Sequence, residues 1–222
     1  MPAMSLIDLE DVRAALALEH FDVLAAQSRM APRPRTLKRS SSLPGEPRQA
    51  SVMVLLYPTE AGLTFVLTRR AEHPDDVHSG QISLPGGSRE PGETPIQTAL
   101  RETCEEVGLE PERVTVIGSL GKLYIPPSDF EVYPVVGYLD EQPVWLPDAI
   151  EVAGILECPL AWLLDDARKV VEDWEFDGYA LRVPWYNVHG NRVWGATAII
   201  LSELEHRLRQ VIDGNSPEHP LA

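Results

Sequence analysis

The sequence predicts an α/β domain, an α/β/α sandwich on a mixed sheet, and three observations carry that prediction. Apolar runs of strand length come in pairs from Ser51 onward. Two segments, near 94–107 and 195–212, keep helical periodicity long enough to cover such strands. Helices lying between and after strands, with no internal repeat, point to a sheet covered on both faces.

In chain order, residues 5–30 read as helical, because Leu6, Leu9, Val12 and Leu16, then Phe21 and Leu24, recur at helical spacing. Over 31–49 the character changes. Pro32, Pro34, Pro44 and Pro47, the serines at 40–42 and the bases Arg33, Arg35, Lys38, Arg39 and Arg48 predict an irregular, mobile connection. SVMVLLYP from Ser51 and LTFVLTRR ending at Arg70 form a strand pair around a turn at 59–62. VTVIGSLGKLYI (114–125) and EVYPVVGYL (131–139) form another, separated by the 126–129 turn. A shorter helix is expected near 159–167, and RKVVEDWEF and YALRVPWYNV flank Asp177-Gly178, a two-residue hairpin signal. The expected organisation is an N-terminal helical segment with basic linker (1–49), the main domain (50–213) and a tail (214–222).

Composition excludes more than it identifies. A net charge of -15 argues against binding nucleic acid or an anionic membrane, whose affinity comes from Lys and Arg. It leaves phosphate substrates open, because a divalent cation inverts the local field. No apolar run approaches the roughly 18 residues that span a bilayer. The N-terminus carries acids where a secretory signal carries bases and an apolar run. Cys104 and Cys158 are too few for a disulfide framework or a zinc site, and a cytoplasmic location is expected. Cys104 has no basic neighbour beyond Arg101, so a nucleophilic role is not expected.

The chemistry concentrates in PGGSREPGETPIQTALRETCEEVGL, residues 85–109. Gly86-Gly87 lets a ligand approach the main chain. Thr94, Pro95 and Gln97 mark a helix start, and Gly108 its end. Ile96, Ala99, Leu100, Thr103 and Val107 share a buried face, whereas Glu102, Glu105 and Glu106 cluster on another at spacings of three and four. An isolated pair of glutamates would read as a solvated face. Here the acids follow a glycine turn, a fixed cap and an arginine, and three mutually repelling carboxylates suit a hard divalent cation, Mg²⁺ or Mn²⁺, not zinc.

From Gly87 the segment resembles the Nudix box residue by residue: Gly87, five residues, Glu93, seven residues, Arg101-Glu102, a further pair, then Glu105-Glu106, Val107, Gly108 and Leu109. Thr103 departs, standing where the family usually has a bulky aliphatic. The resemblance implies a Nudix-type sandwich and a metal-dependent pyrophosphohydrolase. In it, Glu102, Glu105 and Glu106 hold the metal with the Gly86 carbonyl, and Glu105 or Glu102 takes the proton from the attacking water. Arg101 and Glu93 orient the loop and the acids, and Gly87 and Gly108 shape the backbone. Some Nudix enzymes place the base on a distant loop, where Glu151 is a candidate.

Flanking segments resemble coenzyme A pyrophosphatases: 66–71, His78 to Gln81, 85–87, 151–164 and 193–198. Two departures are an arginine missing between Ala71 and Gly80 and Leu84 in place of phenylalanine. Arg70 and His78 are candidate substrate contacts. A 3′-phosphate, lacking the absent arginine, could be met by Arg35, Lys38 or Arg39 folding over the pocket, against the simpler reading of a solvated tether. Trp194 and Gly195 stand as substrate wall or core, and 124–129 as pocket lining or plain connection. The expected reaction cleaves coenzyme A or its acyl derivatives to adenosine 3′,5′-bisphosphate and (acyl-)phosphopantetheine. The alternatives are ADP-ribose, dinucleotides or oxidised nucleoside triphosphates as substrates, or a non-catalytic nucleotide sensor. The partner is a small nucleoside-diphosphate compound, with a homodimer allowed for through the N-terminal helices.

Overall fold

The computed structural model describes residues 7–35, 39–72, 80–176 and 178–214. Within them the elements are α1 (Leu9–Leu16), α2 (Val23–Arg29), β1 (Arg48–Thr59), β2 (Gly62–Arg70), β3 (Ile82–Ser83), β4 (Gly86–Ser88) and α3 (Pro95–Val107). Then follow β5 (Thr115–Ser119), β6 (Leu123–Ile125), β7 (Phe130–Tyr138), β8 (Val152–Pro159), β9 (Lys169–Phe176), β10 (Tyr179–Val188), β11 (Asn191–Val193) and α4 (Gly195–Ile212). No helix among the described residues is long and apolar enough to cross a membrane.

The sandwich follows from the alternation along β1. Val54 and Leu56 face a core closed by α4, with Ala198, Leu201, Leu204 and Leu208, to which α1 adds Val12 and Ala15 and the end of α2 adds its capping residue Met30. Met53, Leu55 and Tyr57 face the opposite core, against Ala99, Cys104 and Val107 of α3. Both faces of the strand are buried, and the sheet is mixed: β1 runs parallel to β7 and antiparallel to β2 and β4.

β1 and β2 pair only near their turn, from Leu56 opposite Phe65 to Thr59 opposite Gly62. Beyond that they splay. β4 takes the place beside β1 (Val52 opposite Gly86), and β3 takes the place beside β2 (Thr68 opposite Ser83). The glycine turn is therefore inserted between two central strands, where Gly86 at φ 146 leaves no room for a side chain: a Cβ would lie 2.2 Å from the Ser51 carbonyl oxygen.

Some expectations change in detail. The helical N-terminus is two helices, broken before Asp22, whose side chain caps α2 by accepting from the Ala25 amide. The segment near 159–167 forms 3₁₀ turns, Leu160–Leu164 and Asp166–Arg168, in place of an α-helix. β9 and β10 pair with Phe176 opposite Tyr179, the register of the expected two-residue turn, although Asp177 itself lies outside the described residues. The connection before β1 is fastened down. Arg39 donates to both carboxylate oxygens of Asp129, at 2.7 and 2.8 Å, and to the carbonyls of Leu43, Pro44 and Gly45. Arg35 donates to the Tyr124 carbonyl and Arg48 to that of Ser128, so three linker arginines hold one turn.

Candidate active site

Local chemistry builds α3. Thr94 accepts from the Gln97 amide while Gln97 accepts from the Thr94 amide, a capping box, with Pro95 in the first turn. Gly108 closes the helix in the left-handed conformation, at φ 73. A Cβ there would strike the Leu146 carbonyl oxygen at 2.3 Å, because the loop between β7 and β8 lies on the helix end.

Arg101 organises the acids. Its guanidinium holds Glu93 through two bonds of 2.7 and 3.1 Å, Glu102 at 2.8 Å, Glu105 at 3.2 Å and the Ser88 carbonyl at 3.1 Å. Glu93 also accepts from the Glu90 amide and the Thr98 hydroxyl. Arg101 and the Glu90 amide hold its carboxyl down to about 2, while the acids beside Arg101 raise the guanidinium further. Arg101 thus ties the glycine strand, the loop acid and the helix acids together.

The three helix glutamates differ. Glu102 packs on Gly87 so closely that a Cβ there would lie 2.2 Å from its Oε2, and partial burial raises its pKa against the pull of Arg101. Glu105 is the exposed member, its side chain 65% accessible. Glu106 is only 5% exposed and accepts from the Gly86 amide at 3.3 Å. Burial lifts its carboxyl to about 7; the Gly86 amide and Arg70 oppose the rise, and Glu151 and Glu102 add to it. A carboxylate so placed is costly unless a cation joins it. With Glu102 beside it and hard oxygen donors throughout, the set fits a divalent cation. As they stand, Glu102 and Glu105 turn to Arg101, and no three acids among the described residues close into a cage.

Other expected residues fall in three places. Arg70, at the end of β2, acts electrostatically on Glu106, and Glu151 acts on both Glu102 and Glu106. The Arg70 amide donates to Gln81 and the Ala71 amide to Glu151, so segments distant in sequence meet at the acids. His78 and Lys38 lie outside the described residues. Arg39 does not reach over a pocket: the five bonds to Asp129 and the loop carbonyls engage all its donors, which corrects the expectation of an available cation. Trp194 packs edge-on against Trp174, 4.9 Å between centroids, on the three-stranded sheet of β9, β10 and β11. Burial pushes the Cys104 thiol up to about 11, consistent with an inert thiol.

Sequence reasoning missed Asp148, whose amide donates to the Glu106 carbonyl. The local signal was the turn-forming pair Pro147-Asp148 ahead of Glu151. Thr103 is fully buried with its hydroxyl unpartnered. Thr103→Val, nearly the same shape, should therefore stabilise the protein by about 1 kcal/mol, seen as a rise of a few degrees in Tm. A fall in Tm would mean that the hydroxyl has a partner.

Comparison with known proteins identifies the family and the fold. The NUDIX domain signature matches residues 47–177. An uncharacterized Nudix hydrolase, NudL of Salmonella paratyphi B, is 39% identical over 165 residues, covering 71% of this chain and 81% of its own. Nudix hydrolase 3 of Caenorhabditis elegans is 31% identical over 169 residues, covering 69% and 70%. The crystal structure of RenU, a Nudix hydrolase from M. smegmatis, shares the fold with a TM-score of 0.50 at 20% identity, covering 79% of this chain and 91% of that one. With a matched domain over more than half its length, the chain belongs to the Nudix family and is a hydrolase of pyrophosphate bonds.

Proposed function

We propose that the substrate is coenzyme A or an acyl derivative, cleaved to adenosine 3′,5′-bisphosphate and (acyl-)phosphopantetheine. One observation carries the reading. The segments that resemble coenzyme A pyrophosphatases, around Arg70, Gln81, Gly86-Gly87 and Glu151, are hydrogen-bonded to one another or to the box acids at a single rim. Arg70 there supplies positive charge for a phosphate beside Glu106.

Nudix hydrolases depend on divalent metals, and Mg²⁺ or Mn²⁺ held by Glu102, Glu105 and Glu106, with the Gly86 carbonyl, is the expected cofactor. When bound, such a cation neutralises charge developing on phosphate oxygens and acidifies water. The chain's own residues do the rest. Arg101 fixes the acids against Ser88 and Glu93, and Arg70 orients a phosphate. Glu105, Glu102 or Glu151 receives the water's proton on a carboxylate oxygen.

One observation favours a second reading. Because Arg39 is saturated and Arg35 engaged, neither offers a ready contact to a 3′-phosphate, which suits ADP-ribose or a dinucleotide. The deciding experiment is product-identified turnover of coenzyme A, dephospho-coenzyme A, ADP-ribose and diadenosine compounds, with Mg²⁺ and with Mn²⁺. Coenzyme A or an acyl derivative should give the highest kcat/KM. A clear preference for ADP-ribose sinks the substrate reading and leaves the family assignment standing. Arg39→Ala should affect coenzyme A and dephospho-coenzyme A equally.

A further inference from the structure

β8 is the outer strand beside β2, and its far edge carries hydrogen-bonding groups with nothing to pair with. In an antiparallel pair, residues alternate between bonding across the ladder and turning their amide and carbonyl away from it. Val66 stands opposite Glu157, and Thr68 opposite Ile155. The Glu157 carbonyl turns away, to His189 Nε2 at 3.1 Å. By the same alternation, the Glu157 amide and both the amide and carbonyl of Ile155 turn outward. Among the described residues β8 pairs with β2 alone, and none takes up those three groups.

A cavity of about 610 Å³ lies against this stretch, lined by Ile155, Leu156 and Glu157, by Trp145, and by His189 and Asn191 where β10 turns into β11. Its size suits a small molecule. Trp145 is held in place: its ring meets Tyr57 edge-on, 5.4 Å between centroids, and its Nε1 donates to Glu157 Oε1 at 3.1 Å. The Tyr57 hydroxyl and the Gln142 amide group donate to the same oxygen, which leaves Oε2 without a partner among the described residues. A carbonyl only accepts, so in the neutral His189 ring Nε2 carries the proton and Nδ1 is an acceptor. Asn191 is engaged by Arg69 and by the Val188 and His189 carbonyls. The cavity thus offers two amide donors, three acceptors and an indole wall, with no Lys or Arg among its described lining residues. A phosphate finds no partner there, whereas a chain of amides does.

Hydrogen bonds join this edge to the acid-bearing helix. The Val152 amide, at the start of β8, donates to the Asp148 carbonyl at 2.8 Å, and the Asp148 amide donates to the Glu106 carbonyl at 3.1 Å. From Val152, Ile155 lies roughly 10 Å and Glu157 roughly 16 Å along the strand. The pantetheine arm of coenzyme A carries two amides on a chain about as long as four residues, or roughly 14 Å. We infer that the outer edge of β8 binds the pantetheine arm by strand addition, its amides pairing with the Ile155 backbone and the Glu157 amide beside Trp145. The inference rests on the coenzyme A reading for its ligand and on β8 for its site.

Pantetheine itself, which has no pyrophosphate to cleave, is the probe. Titrated at millimolar concentration into the full chain and followed by amide NMR shifts, it should move the Ile155 and Glu157 amides and the Trp145 indole N–H most. Ile155→Pro removes one outward donor and no bond to β2, and should weaken pantetheine by roughly two- to tenfold, the contribution of one hydrogen bond. KM for coenzyme A should rise by a similar factor, with kcat little changed. If the proline variant does not fold, Glu157→Gln takes its place and should weaken pantetheine likewise. Its oxygen must stay with the Tyr57 and Trp145 donors, so its amide group turns the open acceptor into a donor. Shifts elsewhere or none, wild-type pantetheine affinity in the folded variant, or adenosine moving the same amides as strongly overturns the proposal. The two readings fail separately. If ADP-ribose is the preferred substrate and pantetheine still moves these amides, the substrate reading falls and the groove stands. If coenzyme A is hydrolysed and these amides stay still, the groove falls and the substrate reading stands.

Discussion

Glu106→Gln is expected to lose more than about 100-fold of hydrolytic activity, beyond the 10–100-fold typical of groups that only support a metal ligand. The same change should stabilise the protein in chelator at alkaline pH. The Glu106 carboxyl titrates near 7 in the fold because it is buried, well above an ordinary carboxylic acid. Between the two values the folded chain keeps a proton that the unfolded chain has released, so stability falls as pH rises through this window. Glutamine removes the charge yet still accepts from the Gly86 amide. In chelator, the variant should exceed wild type by roughly 1–3 kcal/mol at pH 8 and match it at pH 4. The cation must displace that proton, so wild-type metal affinity should weaken below about pH 7. Undiminished turnover in Glu106→Gln would remove Glu106 from the site; equal stability at pH 8 would show that its carboxylate is solvated.

Glu203→Ala should be the most destabilising single change, by about 3–5 kcal/mol, a Tm loss on the order of 10 °C. Glu203 is fully buried on α4. It accepts from the Gly121 amide, the Gln27 amide group and Arg207 Nε, each bond within 2.9–3.0 Å. Arg207 also donates to the Ala15 carbonyl and lies over the Phe21 ring. Alanine would strand a buried guanidinium and buried donors, whereas adding Arg207→Met removes the stranded charge and should restore part of the loss. Hydrogen exchange should show the damage spreading to α1 and α2, which pack on α4. Exchange confined to α4 would make the N-terminal helices an independent unit.

What the sequence revealed follows the range of the forces involved. α3 was legible to within a residue because Thr94, Pro95, Gln97 and Gly108 act within one turn of the backbone they govern, and the clustering of Glu102, Glu105 and Glu106 is helix geometry alone. Arg39 could not be read the same way. Its carboxylate partner, Asp129, lies 90 residues away on a turn that exists only once β6 and β7 pair. The 160–168 segment has helical periodicity, but its side chains pack as 3₁₀ turns between β8 and β9, where tertiary context overrides propensity. The different environments of the three glutamates, one on Gly87, one exposed and one buried under Gly86, also emerge only when the glycine strand enters the sheet.

That entry separates two ends of β1 that evolution and engineering can treat differently. The turn at Glu60-Ala61 belongs to the part of β1 paired with β2, while Gly86 joins at Val52, eight residues or roughly 25 Å of extended chain away. A graft at the turn, a reporter loop or an affinity tag, would sit outside the reacting region and leave the catalytic geometry untouched. The same insertion between β3 and β4 would have to pass through the interior of the sheet. The domain is open to elaboration at one pole of a strand and closed at the other.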